Sequence, residues 1–200
     1  MKLRMKQTRM AFDGLIISTL GGSLCFLGCQ DGSTPAEESL FPLSPGSAWQ
    51  FSAGTSDSIL GLVNISGKCY SEFTRSPVGL GSPYLRSNGK DQVAFWNGAE
   101  EQVLFDFGAA VRDSWGIDLV FDDFTIHYTI TLISKMTKVM TPAGEFESCY
   151  RFDFVSTDVL DGNWTVVICP RVGVVLRIGG MGFTIPLESY FTSGKRGCPP

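Results

Sequence analysis

Few side chains in this 200-residue chain have the type and spacing that chemistry requires. His127 is the single histidine. A histidine base needs a nucleophile to activate and a carboxylate to orient it, and no motif in the sequence supplies either. Between Thr125 and Thr129 at strand spacing, His127 reads as a surface residue. A zinc centre is disfavoured, because only one imidazole exists and no cysteine pair downstream of the N-terminal segment has ligand spacing. Asp118, Asp122 and Asp123 could offer oxygens to Ca²⁺, but they lack the glycine and closing glutamate of an EF-hand loop and read as a solvated turn. Glu100 and Glu101 beside Asn97-Gly98 read likewise as solvated residues of a hairpin turn. Gly179-Gly180-Met181-Gly182 has no helix pattern after it to hold a phosphate, and reads as a flexible loop. No catalytic residue, metal or cofactor is expected from these patterns.

The remaining reactive groups are cysteines, and the first of them belongs to a targeting segment. Lys2, Arg4, Lys6 and Arg9 form a basic region, and the stretch 15–28 is apolar but too short for a membrane-spanning helix. It ends in Phe26-Leu27-Gly28-Cys29, which resembles the lipobox of bacterial lipoproteins. That resemblance implies a signal peptide over 1–28 and a diacylglycerol thioether on Cys29, which becomes the mature N-terminus. It also implies that Gln30 directs the protein to the outer membrane, facing the periplasm, in a Gram-negative cell. Each acyl chain contributes about 0.8 kcal/mol per buried CH₂, so two or three chains anchor a protein stably without spanning the bilayer.

Residues 29–40, polar and without periodicity, read as a flexible tether, and 41–200 as one domain. Without the signal segment, 12 Lys and Arg stand against 19 Asp and Glu, a net charge of −7. No basic patch remains to bind a phosphate backbone, so nucleic acid is not an expected partner.

Cys69, Cys149, Cys169 and Cys198 are an even set in an exported chain, which points to two disulfides. Strand periodicity narrows the pairing. In 146–154 the aromatic residues Phe146, Tyr150, Phe152 and Phe154 are even-numbered, and in 164–178 Trp164, Val166, Ile168, Val172, Val174, Leu176 and Ile178 keep that parity. Two-residue alternation marks strands with one buried face. A loop that sets Phe154 opposite Trp164 also sets Cys149 opposite Cys169, the favoured bridge. For Cys69 a reduced thiol remains the alternative.

The phase survives Pro170, which cannot donate to a ladder, so that strand is expected at an edge or with a bulge. Upstream, Trp49, Phe51 and Ala53 alternate as a first strand, and Ser58 to Cys69 is either one bent strand or a hairpin through Ser66-Gly67. Asn88-Gly89 and Asn97-Gly98 mark a meander. Gly108 to Gly116 reads as a connection whose Trp115 plugs the core. Ile126, Tyr128, Ile130 and Leu132 alternate with Thr125, His127, Thr129 and Thr131. With no helical period beyond the signal, the expected fold is all-β: an antiparallel sandwich or partly open barrel of about ten strands. Trp49, Trp96, Trp115 and Trp164 are expected in its core, and would line a cavity if the barrel were hollow.

The order of FPLSPGSAWQF, YLRSNGK, EQVLFDFGAAVRDSW, TPAGEFESCYRF and CPRVGVVLRIGG resembles a set of uncharacterised secreted bacterial proteins, many of them lipoproteins, across nearly the whole mature chain. Arg112 stands where that pattern usually has glycine. No activity accompanies the resemblance. The expectation is therefore a lipid-anchored cell-envelope domain, without catalysis, that binds another envelope protein or acts as a scaffold. The alternative is a carrier holding an apolar ligand inside an open barrel, which a solid, interdigitated core would exclude.

Overall fold

The computed structural model describes residues 40–76, 82–89, 91–121, 123–160 and 162–193. The signal segment, Cys25, Cys29, most of the tether, Asp122 and Cys198 lie outside the described residues.

The chain forms twelve antiparallel strands in one sheet, a nearly closed barrel, with the order β6-β5-β4-β3-β2-β1-β12-β11-β10-β9-β8-β7. In chain order they are β1 Ala48–Phe51, β2 Thr55–Ile65, β3 Lys68–Phe73, β4 Tyr84–Ser87, β5 Gln92–Trp96, β6 Glu101–Asp106, β7 Ser114–Val120, β8 Thr125–Thr141, β9 Gly144–Val155, β10 Trp164–Cys169, β11 Gly173–Gly179 and β12 Thr184–Phe191. Every strand pairs with its chain neighbour except β6 with β7, and β1 pairs with β12 to join the two halves. The first strand ends at Phe51, earlier than the alternation implied, because Ser52–Gly54 is a turn of 3-10 helix.

Turn chemistry sets the registers. Gly46, with φ 87°, closes a turn in which Ser47 N donates to Ser44 O at 3.2 Å. Ser66 and Gly67, with φ 53° and 81°, form a two-residue hairpin turn between Ile65 and Lys68, so Ser58 to Cys69 is a hairpin and not one bent strand. Arg112 has φ 79°, a left-handed conformation that glycine adopts without steric cost, and its N–H donates to Leu132 O at 2.7 Å.

Two expectations need correction. The stretch 164–178 is two strands, β10 and β11, and Pro170 sits in the turn between them, not in a strand with an edge or a bulge at the proline. Cys169 pairs with Gly173 across a three-residue connection, and a connection of odd length preserves parity through a reversal of direction, here as far as a register shift between Val167 and Ile168. The segment expected to be a connection up to Gly116 already contains the start of β7, with Trp115 its second residue.

Phe154 is opposite Trp164 and Tyr150 opposite Ile168, and this register brings Cys149 and Cys169 together in a disulfide with Cα atoms 4.2 Å apart. For the 20-residue separation, loop closure in the unfolded chain makes the bond worth about 3 kcal/mol. Cys69 is half-buried on β3, opposite Asn64.

The interior is filled. Phe105 is inaccessible to solvent, with ring centroids of Phe152, Phe41, Phe107 and Phe154 at 5.0, 6.0, 6.2 and 6.2 Å. Each such aromatic pair is worth about 0.5–1.5 kcal/mol beyond the area it buries. Trp49 is buried, with its indole N–H donating to Val172 O at 2.5 Å, and Trp164 stacks on Phe154 at 3.9 Å. The gap bounded by Phe41, Trp49, Phe51, Asp57, Phe73 and Val174 is too small for a water molecule. Outward positions at the start of β8, Thr125, His127 and Thr129, are polar and exposed.

Candidate functional site

The strand directions place one set of turns on a single rim: 52–54, 97–100, 121–124, 156–163 and 180–183. Three of these tips join β7 to β8, β9 to β10 and β11 to β12, and the sheet order makes them consecutive around the barrel. Each tip exposes large apolar side chains. Phe121 and Phe124 stack on one another at 4.7 Å, with Phe124 57% exposed; Leu160 is 99% exposed, and Met181 and Phe183 are 76% and 55% exposed.

Local geometry fixes two of the tips. Phe121 N donates to Phe124 O at 2.9 Å, which closes the β7–β8 turn and brings the two rings together. In the third, Gly179 N donates to Phe183 O at 3.0 Å and Gly182 N to Gly179 O at 2.8 Å. A Cβ at Gly179 would lie 2.3 Å from the Phe183 ring, so glycine there leaves room for the ring to fold over the hairpin. The glycine run expected to be a flexible loop is therefore a hydrogen-bonded hairpin end. His127 N donates to Asp158 Oδ2 at 2.8 Å and ties the middle tip to β8.

Beside this rim, between the start of β4, the end of β5 and the end of β7, lies a cleft of about 310 Å³ lined by Pro83, Tyr84, Trp96, Leu119, Val120 and Phe121, with Ser82, Asn97 and Gly98 completing its wall. Asn97 is 5% exposed and its amide is hydrogen-bonded through both its oxygen and its nitrogen. Its Oδ1 accepts from Ala99 N and Glu100 N at 2.9 and 2.8 Å, and its Nδ2 donates to Asp118 O at 3.2 Å. These bonds take up the Asn97 carbonyl oxygen and one of its two amide hydrogens, and most of the side chains lining the cleft are aromatic or aliphatic.

His127 Nδ1 lies 2.6 Å from Asp118 Oδ1, with the residues directly opposite in the β7–β8 register. The carboxylate raises the imidazole pKa above its ordinary value of 6.5. An orienting carboxylate is thus present, contrary to the reading that nothing supplies one. The hydroxyls of Ser114 and Thr131 are bonded to one another at 2.8 Å, four residues away along each strand. Asp118 lies within β7 and not in a solvated turn with Asp123, so the two do not form the oxygen cluster considered for Ca²⁺.

Glu101 also departs from its solvated reading. Its side chain is 16% exposed and receives Lys68 Nζ at 2.9 Å, Tyr70 OH at 2.5 Å, Arg86 Nη2 at 3.0 Å and Arg86 Nε. The Arg86 hydrogen bond is the largest influence holding its pKa down at about 2; burial opposes this, and the Tyr70 and Lys68 bonds reinforce it. Tyr70 is pushed above its usual range by burial and by donating to Glu101. With every charge answered, this cluster knits β3, β4 and β6 together. A second pair, Arg177 with the buried Asp57, spans β11 and β2, and the guanidinium lies 4.1 Å from the Phe51 ring centroid.

No protein-family model, curated protein or solved structure matches the chain. The functional reading therefore rests on the rim, the cleft and the sequence signals. Among the described residues no helix is long and apolar enough to cross a membrane.

Proposed function

We propose that this chain is a lipid-anchored cell-envelope domain that binds another envelope component through its loop rim and performs no catalysis. The observation that carries the reading is the exposure of Phe124, Leu160 and Met181 on three consecutive tips. Large apolar side chains exposed together at one end of a domain are characteristic of interaction sites. The lipid anchor rests on the lipobox-like Phe26-Leu27-Gly28-Cys29, and outer-membrane placement on Gln30.

The entry point of the chain supports the same orientation. Leu40 O accepts from Arg171 N at 3.0 Å in the β10–β11 turn, at the end of the barrel opposite the rim. A tether from Cys29 joins the domain there. The rim is then carried away from the bilayer, toward other envelope components.

The second reading is a carrier, favoured by the apolar cleft of about 310 Å³. Phe105 and its neighbours occupy the barrel interior, so a ligand would sit in the cleft beside the rim. Native mass spectrometry of the exported protein, purified without detergent, separates the two. A polypeptide mass with no adduct supports the binding-module reading. A reproducible apolar adduct that disappears in Trp96→Ala would replace it with the carrier.

A further inference from the structure

The rim has a charge pattern as well as an apolar one. The segments that build the three tips and the strand ends beneath them, 118–128, 155–165 and 178–185, contain no lysine or arginine. Among the described residues they contain Asp118, Asp123 and Asp158. Asp123 is exposed beside Phe124, and Asp158 lies two residues from Leu160. The carboxylates flank the first two tips and the β11–β12 tip has none; Asp158 also accepts from His127 N, and the only basic group in these segments is the His127 imidazole, engaged by Asp118.

We infer that this rim is a docking surface for a cationic amphipathic segment of a partner protein, in which apolar side chains fill the spaces between the tips and lysines or arginines meet the carboxylates. The inference rests on the binding-module reading and specifies its partner. Three other occupants fit less well. A second copy would bring the same carboxylates against one another at short range, where like charges oppose association. A bilayer with anionic headgroups would repel Asp123 and Asp158 as the tips entered. The chain's own N-terminal part enters at Leu40, at the other end of the barrel.

The geometry suits such a segment. The three tips belong to successive hairpins of one sheet, so each is set two strands from the next, and adjacent strands lie about 4.8 Å apart. An amphipathic helix presents apolar side chains at i, i+3, i+4 and i+7 and flanks them with charge. Desolvated aromatic and aliphatic anchors would supply most of the affinity, and the carboxylates the choice of partner.

The test uses the full chain carrying Cys29→Ser, so its outcome does not depend on lipidation. Its probe is a fluorescent amphipathic helical peptide of leucine and lysine. A peptide with glutamate in place of lysine and vesicles containing phosphatidylglycerol serve as comparisons. Saturable binding of the lysine peptide alone is expected, weakening as salt is raised. The triple variant Phe124→Ser, Leu160→Ser, Met181→Ser, at fully exposed or largely exposed positions, is expected to bind roughly tenfold more weakly or worse. Asp123→Lys is expected to weaken binding while circular dichroism remains that of the parent. Absence of binding, equal binding of both peptides, a preference for the vesicles, or unchanged affinity in the rim variants would each overturn the inference.

Discussion

The indole N–H of Trp115 on β7 donates to the backbone carbonyl of Val103 on β6 at 3.0 Å, across a seam that has no backbone ladder. Two more bonds cross the same seam: Asp118 N to Gln102 Oε1 at 2.7 Å and Asn97 Nδ2 to Asp118 O at 3.2 Å. Side chains therefore close the barrel where main chain does not. They also satisfy edge groups that would otherwise be a template for another strand. The last of these bridges, from Asn97 to Asp118, lies beside the cleft, of whose wall Asn97 forms part.

Trp115→Phe should keep the ring against the core and remove only the donor. The expected loss is about 1 kcal/mol, read from the urea midpoint. Amide hydrogen exchange should quicken in β6 and β7 and stay unchanged in β9 and β10. Uniform acceleration over all twelve strands would show that the seam is not a separate element of stability.

Glu101 gives the stability a pH signature in acid. Its pKa is depressed from 4.5 to about 2, so the unfolded chain binds its proton first as pH falls. The stabilisation is present above pH 4.5 and is lost as pH falls toward 2. Glu101→Gln should lower stability at neutral pH, leaving Arg86 and Lys68 without their counter-charge, and should flatten the dependence in that window. A variant with the parent's slope between those limits would assign the acid sensitivity to other carboxylates.

His127 works in the opposite sense. Because Asp118 raises its pKa, its contribution is complete below pH 6.5 and fades as pH rises through the higher folded value. NMR titration of the single imidazole should give a midpoint above 6.5, and Asp118→Asn should bring it down. An unchanged midpoint in that variant would contradict the pairing.

Much of the β9–β10 hairpin was legible in the sequence, because aromatic alternation fixes parity and parity restricts register. The pairing of Phe154 with Trp164, and with it the Cys149–Cys169 bond, follows from that restriction. The turn at Pro170 was hidden because the apolar residues on both sides of it are even-numbered, although a register shift between Val167 and Ile168 puts odd residues opposite even ones along the rest of the β10–β11 pair. The second half of β8 was missed because register shifts between Leu132 and Val139 break the alternation. The start of β7 was missed because Gly116 interrupts the pattern around Trp115.

The candidate site was less legible. Glu101 meets Tyr70 and Arg86 only because β3, β4, β5 and β6 are laid side by side, a juxtaposition that local spacing does not encode. Phe121, Phe124 and Phe183 have the residue type of a core. Their exposure appears only once the tips are placed on one rim.

Membrane attachment through Cys29 is the claim on which the placement of the rim depends, and it is tested most directly by metabolic labelling with an alkyne analogue of palmitate in a bacterial host. The account predicts label on the full chain, recovered with membranes, and none on the Cys29→Ser variant. Equal labelling of the two, or an unlabelled wild-type chain, would contradict it.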